Sequence, residues 1–360
     1  MKIGKRLVIF LLVVFCTLVN VSGFDSTGWT DYLGNPQRTA YSMGKGPESP
    51  EIFWKVIIPG DFDTPPFVVD DKVFILCKND MYHISTATVV VIDLVTGEVL
   101  QKFRPLIPEE RLVFEIFPLN NKIMGMSFEG IYEIDLNSEK GTLVTEIPQM
   151  YYSTPSRYPV VLEVTIIFPT DPPVCLSRSS MDTVWNTGDI LPDPDLHVYN
   201  LAADETIVVF IVGKDGITQL LAADPSTGMI KWMSDPIPLS LWLALGEDAV
   251  YSGGTDLWAF DKEGSELWHF VPDQRIASNI VLGPDAVYVA DYSNAVYKIG
   301  LDGTLVWKTE WEVSPWYYET HLLGVGDILY CIGNSGGPDS ATGCHITALS
   351  MEDGSHLWNQ

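Results

Sequence analysis

The chain is short of positive charge. Lysine and arginine total 21 against 47 aspartates and glutamates, a formal net charge of −26 over 360 residues. A surface of that sign repels phosphate backbones, which excludes a general nucleic-acid binder. Cysteine is scarce as well: there are five, none in a CxxC pair, and no Cys/His grouping has the spacing of a structural zinc site. Long apolar runs are missing after the first 23 residues, so no membrane-spanning helix is expected further along the chain. Disorder is excluded by composition, with 46% hydrophobic and 19% charged residues.

What is present begins with a leader. Lys2, Lys5 and Arg6 precede an apolar run over 7–19, and Val21-Ser22-Gly23 offers the small residues a leader peptidase inspects. Residues 1–23 are therefore expected to be a signal peptide, with export to a periplasm, a cell surface or the medium. Residues 24–360 are expected to form a single domain. Four cysteines remain after cleavage. Cys331 and Cys344 are candidates for a disulfide closing a 12-residue loop in an oxidising compartment. Cys77 and Cys175 read as small buried apolar residues.

The main signal is internal repetition. A glycine recurs with a large side chain four residues later. The set runs through Asp93-Leu-Val-Thr-Gly97-Glu-Val-Leu-Gln101, Asp224-Pro-Ser-Thr-Gly228-Met-Ile-Lys-Trp232 and Asp261-Lys-Glu-Gly264-Ser-Glu-Leu-Trp268. It continues with Asp302-Gly303-Thr-Leu-Val-Trp307 and Asp353-Gly354-Ser-His-Leu-Trp358, and Asp135-Leu-Asn-Ser-Glu-Lys-Gly141 is a decayed copy. Trp54 and Trp185 mark copies that kept only the tryptophan. Between the turns lie short β-branched and aromatic runs such as Ala286-Val-Tyr-Val-Ala290, which read as strands. Gly accepts positive φ in the tight hairpins between them. Four-stranded units at this spacing predict an all-β protein, a β-propeller with seven blades, or eight if the chain is truncated. Trp54, Trp185, Trp232, Trp268, Trp307 and Trp358 are assigned a structural role. Each is expected to bury its ring against a neighbouring blade and donate its indole N–H to a main-chain carbonyl.

Ala222-Ala-Asp224-Pro-Ser-Thr227-Gly228-Met-Ile-Lys-Trp232 is similar, position for position, to the tryptophan-docking motif of the pyrroloquinoline-quinone-like propeller repeats. The opening Trp29-Thr-Asp-Tyr-Leu-Gly34-Asn35-Pro-Gln-Arg38-Thr39 also looks like the start of exported members. The resemblance covers roughly residues 29–360 and implies fold more than function. The family includes quinone-dependent alcohol dehydrogenases and the propeller scaffold of outer-membrane assembly. The third unit, about 148–185, departs from the pattern, since no Asp-Gly turn survives there.

Chemistry-bearing constellations are weak. Gly333-Asn334-Ser335-Gly336-Gly337-Pro338 resembles a serine-protease nucleophile segment, yet no histidine stands in the matching context, and these residues are ordinary turn formers. The quinoprotein resemblance implies pyrroloquinoline quinone with calcium. No residue set for them is assignable, and no two cysteines are adjacent. The acidic loops Asp61-Phe-Asp63 and 189–195 lack the spacing of a calcium loop and read as solvated turns. The most suggestive feature is aromatic. Tyr151, Tyr152, Trp311, Trp316, Tyr317 and Tyr318 fall in connections between units and form a candidate binding face. The resulting expectation is a non-catalytic, monomeric scaffold without cofactor or metal. It binds a protein partner at the envelope or surface, with a glycan as the further candidate. A quinone- and calcium-dependent dehydrogenase, or a carbohydrate-binding propeller, is the alternative.

Overall fold

The computed structural model describes residues 32–58, 66–77, 87–107, 113–147, 158–170, 172–186, 191, 193, 195–311, 320–334 and 344–360. Runs such as Val208–Lys214 (VVFIVGK) and Ala286–Ala290 (AVYVA) form central strands, buried on both faces because each sheet is packed from two sides. Seven antiparallel sheets of four consecutive strands follow one another along the chain, and these are the seven blades of a β-propeller fold. They span residues 67–103, 115–146, 160–186, 197–233, 240–270, 281–310 and 320–359, and are called blades 1 to 7.

The chain divides into two compact units. One comprises residues 1–19, 51–150 and 338–344 and carries blades 1 and 2. The other comprises residues 20–50, 151–337 and 345–360 and carries blades 3 to 7. Within the first, Phe74, Leu76, Ile116 and Tyr132 belong to one buried cluster. Within the second, Ile167, Cys175, Val208 and Phe210 pack blade 3 on blade 4. Tyr41–Ser42 adds a fifth strand to blade 7, parallel to Thr320–Val325.

One irregularity repeats in all seven blades. The pairing of the third strand with the outer strand shifts register once, leaving one extra residue on the outer strand. That residue is Leu100, Val144, Val184, Lys231, Leu267, Val306 or Leu357, directly ahead of the docking position. A bulge of this kind re-aims the side chain that follows it. In five of the blades that side chain is a tryptophan.

Candidate functional site

Five of the six docking tryptophans reach the third-to-outer strand turn of the blade that follows them in the chain. Trp54 Nε1 donates to Leu94 O at 3.0 Å, and Trp185 to Pro225 O at 2.9 Å. Trp232 donates to Lys262 O at 2.6 Å, Trp268 to Leu301 O at 2.8 Å and Trp307 to Met351 O at 3.3 Å. The glycine of the turn lies under the ring. At Gly97, Gly264 and Gly303 a Cβ would stand 2.5–2.7 Å from the indole, and all three have positive φ. These glycines are thus required twice, by the turn and by the ring. The indole N–H of Trp358 is buried with no hydrogen-bond partner among the described residues.

Two positions depart from the motif without losing its geometry. Gln101 stands where blade 1 would carry its tryptophan, and its Nε2 donates to Leu136 O at 2.8 Å and to Glu139 Oε1 at 3.3 Å. In blade 3 Met181, at φ 61, takes the place of the glycine four residues before Trp185.

The aspartates of these turns are caps. Asp224 Oδ1 accepts from the amide and hydroxyl of both Ser226 and Thr227, and the Ser226 hydroxyl leads in holding its carboxyl below the usual range. Asp93, Asp302 and Asp353 are lowered in the same way, chiefly by Thr96, Thr304 and Ser355. In the acidic loop, Asp195 pairs with Lys214 at 2.6 Å. Asp256 is raised instead, by burial. Near it His269 stacks on Trp258 with centroids 4.6 Å apart, its Nδ1 3.0 Å from Glu266 Oε1.

The candidate aromatic face is only partly visible. Tyr151, Tyr152, Trp316, Tyr317 and Tyr318 lie outside the described residues. Trp311 does not belong to an exposed face: it is 4% exposed and packs beside Cys331, with its ring against Gly333. Its place just after the outer strand of blade 6 turns it into the sheet interface. The expected Cys331–Cys344 disulfide is not formed. Cys331 is a free, fully buried thiol facing that same core, and burial raises its pKa, as it raises Cys77 and Cys175 to about 12. The Cys344 side chain and residues 335–338 of the Gly-rich segment lie outside the described residues. Arg38, read in the sequence only as part of an opening motif, is fully buried. A cation in a turn of a base-poor chain is the one signal that could have singled it out.

Bulged outer strands, docked indoles and capped turns together define a tryptophan-docking β-propeller. The family model described as outer membrane protein assembly factor BamB matches residues 253–360. BamB from Moraxella catarrhalis is similar in structure, with TM-score 0.58 and 17% identity over 83% of this chain and 88% of that one. A europium-containing methanol dehydrogenase has TM-score 0.62 and 11% identity over 92% and 85% of the two chains. The computationally designed Ika8 protein has TM-score 0.62 and 12% identity over 82% and 85%. The resemblance to pyrroloquinoline-quinone-like repeats is thereby borne out, and at these identities the structural likeness shows the fold alone. The comparison with curated proteins yields no match.

Proposed function

We propose that the protein is an exported, non-catalytic propeller that binds a protein partner at the envelope or cell surface. The observation that carries this reading is the row of bulge residues. Six of the seven are apolar and 38–53% exposed: Leu100, Val144, Val184, Leu267, Val306 and Leu357. A lone exposed apolar side chain is ordinary. The same side chain repeated along the outer strands, whose edges end the sheets, offers a partner strand both backbone groups and apolar contacts; in blade 2 Leu106 already pairs with the start of that edge. The family-model match to an outer membrane assembly factor supports the same class of role. The quinone alternative needs clustered oxygen ligands for calcium. Among the described residues no group of three or more His, Cys, Asp or Glu side chains is placed to hold a metal ion, and ligand binding tests that alternative.

A photo-crosslinking residue placed at Leu267, Val306 or Leu357 should give one discrete adduct in cells, and placement at Asp215 in a hairpin turn should give none. Thermal unfolding with pyrroloquinoline quinone plus calcium should show no shift. A midpoint rise that needs both ligands, accompanied by alcohol oxidation, would overturn the reading, as would the absence of adducts at all three bulge positions.

A further inference from the structure

Residues 34–40 precede every blade, residues 41–42 form the added strand on blade 7, and together they touch all five blades of their unit. Pro36 O accepts the N–H of Ala203 at 3.0 Å, Gln37 O that of Leu245 at 2.8 Å and Thr39 O that of Leu282 at 2.8 Å. These donors are the last residues of the inner strands His197–Ala203, Ser240–Leu245 and Val281–Leu282 of blades 4, 5 and 6. Ala40 O and Ser42 O accept from Gly324 and Gly326 of blade 7, at 2.9 and 2.8 Å. The same end of four successive inner strands thus presents N–H groups to one short segment.

The fifth blade is reached by a side chain. Arg38 is 0% exposed. Its guanidinium donates to Tyr158 O at 2.9 Å and Pro159 O at 3.1 Å, which lead into the inner strand Val160–Val161 of blade 3, and to Tyr32 O at 2.8 Å. The Tyr32 ring lies 5.2 Å from the guanidinium carbon and stacks on Tyr158 at 4.3 Å. The backbone is bent to achieve this. Leu33, Arg38 and Ala40 all have φ between 49° and 61°, a region disfavoured for residues with a Cβ and kept only where surroundings enforce it. Asn35 enforces part of it, accepting from Thr39 N at 3.1 Å and donating to Thr39 Oγ1 at 2.7 Å.

We propose that the inner-strand ends of blades 3 to 7 form a collar that binds an arginine-bearing peptide folded through a tight turn, and that residues 34–42 are its resident occupant. The collar reads peptide carbonyls through strand N–H groups, and the arginine through the Tyr158 and Pro159 carbonyls, with the peptide's own Tyr32 ring closing over the guanidinium. The ligand class is a turn-forming segment of the pattern Asn-Pro-x-Arg-Thr-Ala. When the resident segment is loosened, a peptide of that pattern binds in trans.

The test uses the full chain as wild type, Arg38→Ala and Asn35→Ala, with a fluorescein-labelled peptide of residues 32–46. Amide exchange at Ala203, Leu245, Leu282 and Gly324 should be at least tenfold faster in both variants. The labelled peptide should raise anisotropy with the variants, at least tenfold less with wild type, and not at all when the peptide carries Arg38→Ala. Equal peptide binding by all three chains would overturn the collar. So would faster exchange without any peptide binding, which would reduce the segment to a clamp. If neither variant folds, recovery of folded protein on refolding with excess peptide supports the collar, and no recovery overturns it.

Discussion

A docking tryptophan fills the space above a glycine and satisfies a carbonyl, and the two contributions can be separated. At Trp268 the indole donates to Leu301 O and lies over Gly303. Trp268→Phe keeps most of the ring and loses the bond, at about 1 kcal/mol, whereas Trp268→Ala also empties the site, at about 2–4 kcal/mol. Gln101 shows which contribution the repeat retains when the ring is lost, because its amide still reaches a turn carbonyl. Gln101→Ala should cost about 1 kcal/mol. Gln101→Glu should cost more at pH 7, since it sets a carboxylate against Leu136 O and the Glu139 carboxylate. That carboxyl has a raised pKa in the folded state, so its excess penalty is present at neutral pH and fades as the solution is acidified through the raised value. Urea unfolding of both variants against wild type at pH 7 and pH 4.5 measures this. An equal loss for both at both pH values would remove the hydrogen bond from the account.

The hairpin is the element in which chemistry and fold meet most directly. The Asp224 carboxyl is held low by Ser226 and Thr227, so its contribution is fully present above the ordinary aspartate pKa and disappears as pH falls through the depressed value. Asp224→Ala is therefore expected to lower the thermal midpoint by a few degrees at pH 6, with the difference from wild type narrowing towards pH 3. A difference constant with pH would mean that the ionised cap contributes nothing. These hairpins are legible in the sequence because a turn restricts composition, so Asp, Ser/Thr and Gly stand at fixed distances from the tryptophan. Blade 3 shows where that legibility ends. Met181 adopts glycine's conformation without its composition, and only Trp185 marks the unit. Aromatics are ambiguous for a different reason. Trp311 has the same chemistry as an exposed gripping residue, and only the packing of blade 6 on blade 7 makes it core. Nor can any window of sequence show that residues 34–42 meet five blades, because their partners lie between 120 and 284 positions away.

At the scale of the whole molecule, charge opposes the compact state. The described ion pairs join Lys122, Lys214, Lys231, Lys262, Lys298 and Lys308 to single carboxylates. With 47 acids against 21 bases, most carboxylates repel one another across the surface. Exposed pairs such as Lys214–Asp195 contribute little and weaken in salt. The repulsion is long-ranged, so it is screened more strongly when the Debye length falls from about 30 Å at 0.01 M to about 8 Å at 0.15 M salt. The repulsive contribution should therefore decide the sign. Raising sodium chloride from 10 to 150 mM at pH 7 is expected to raise the thermal midpoint by a few degrees. The gain should shrink at pH 5, close to the sequence pI of about 4.3, where fewer carboxylates are ionised. A midpoint that falls with salt at pH 7 would mean that the six lysine pairs outweigh the excess of negative charge, and the net-charge argument would fail with it.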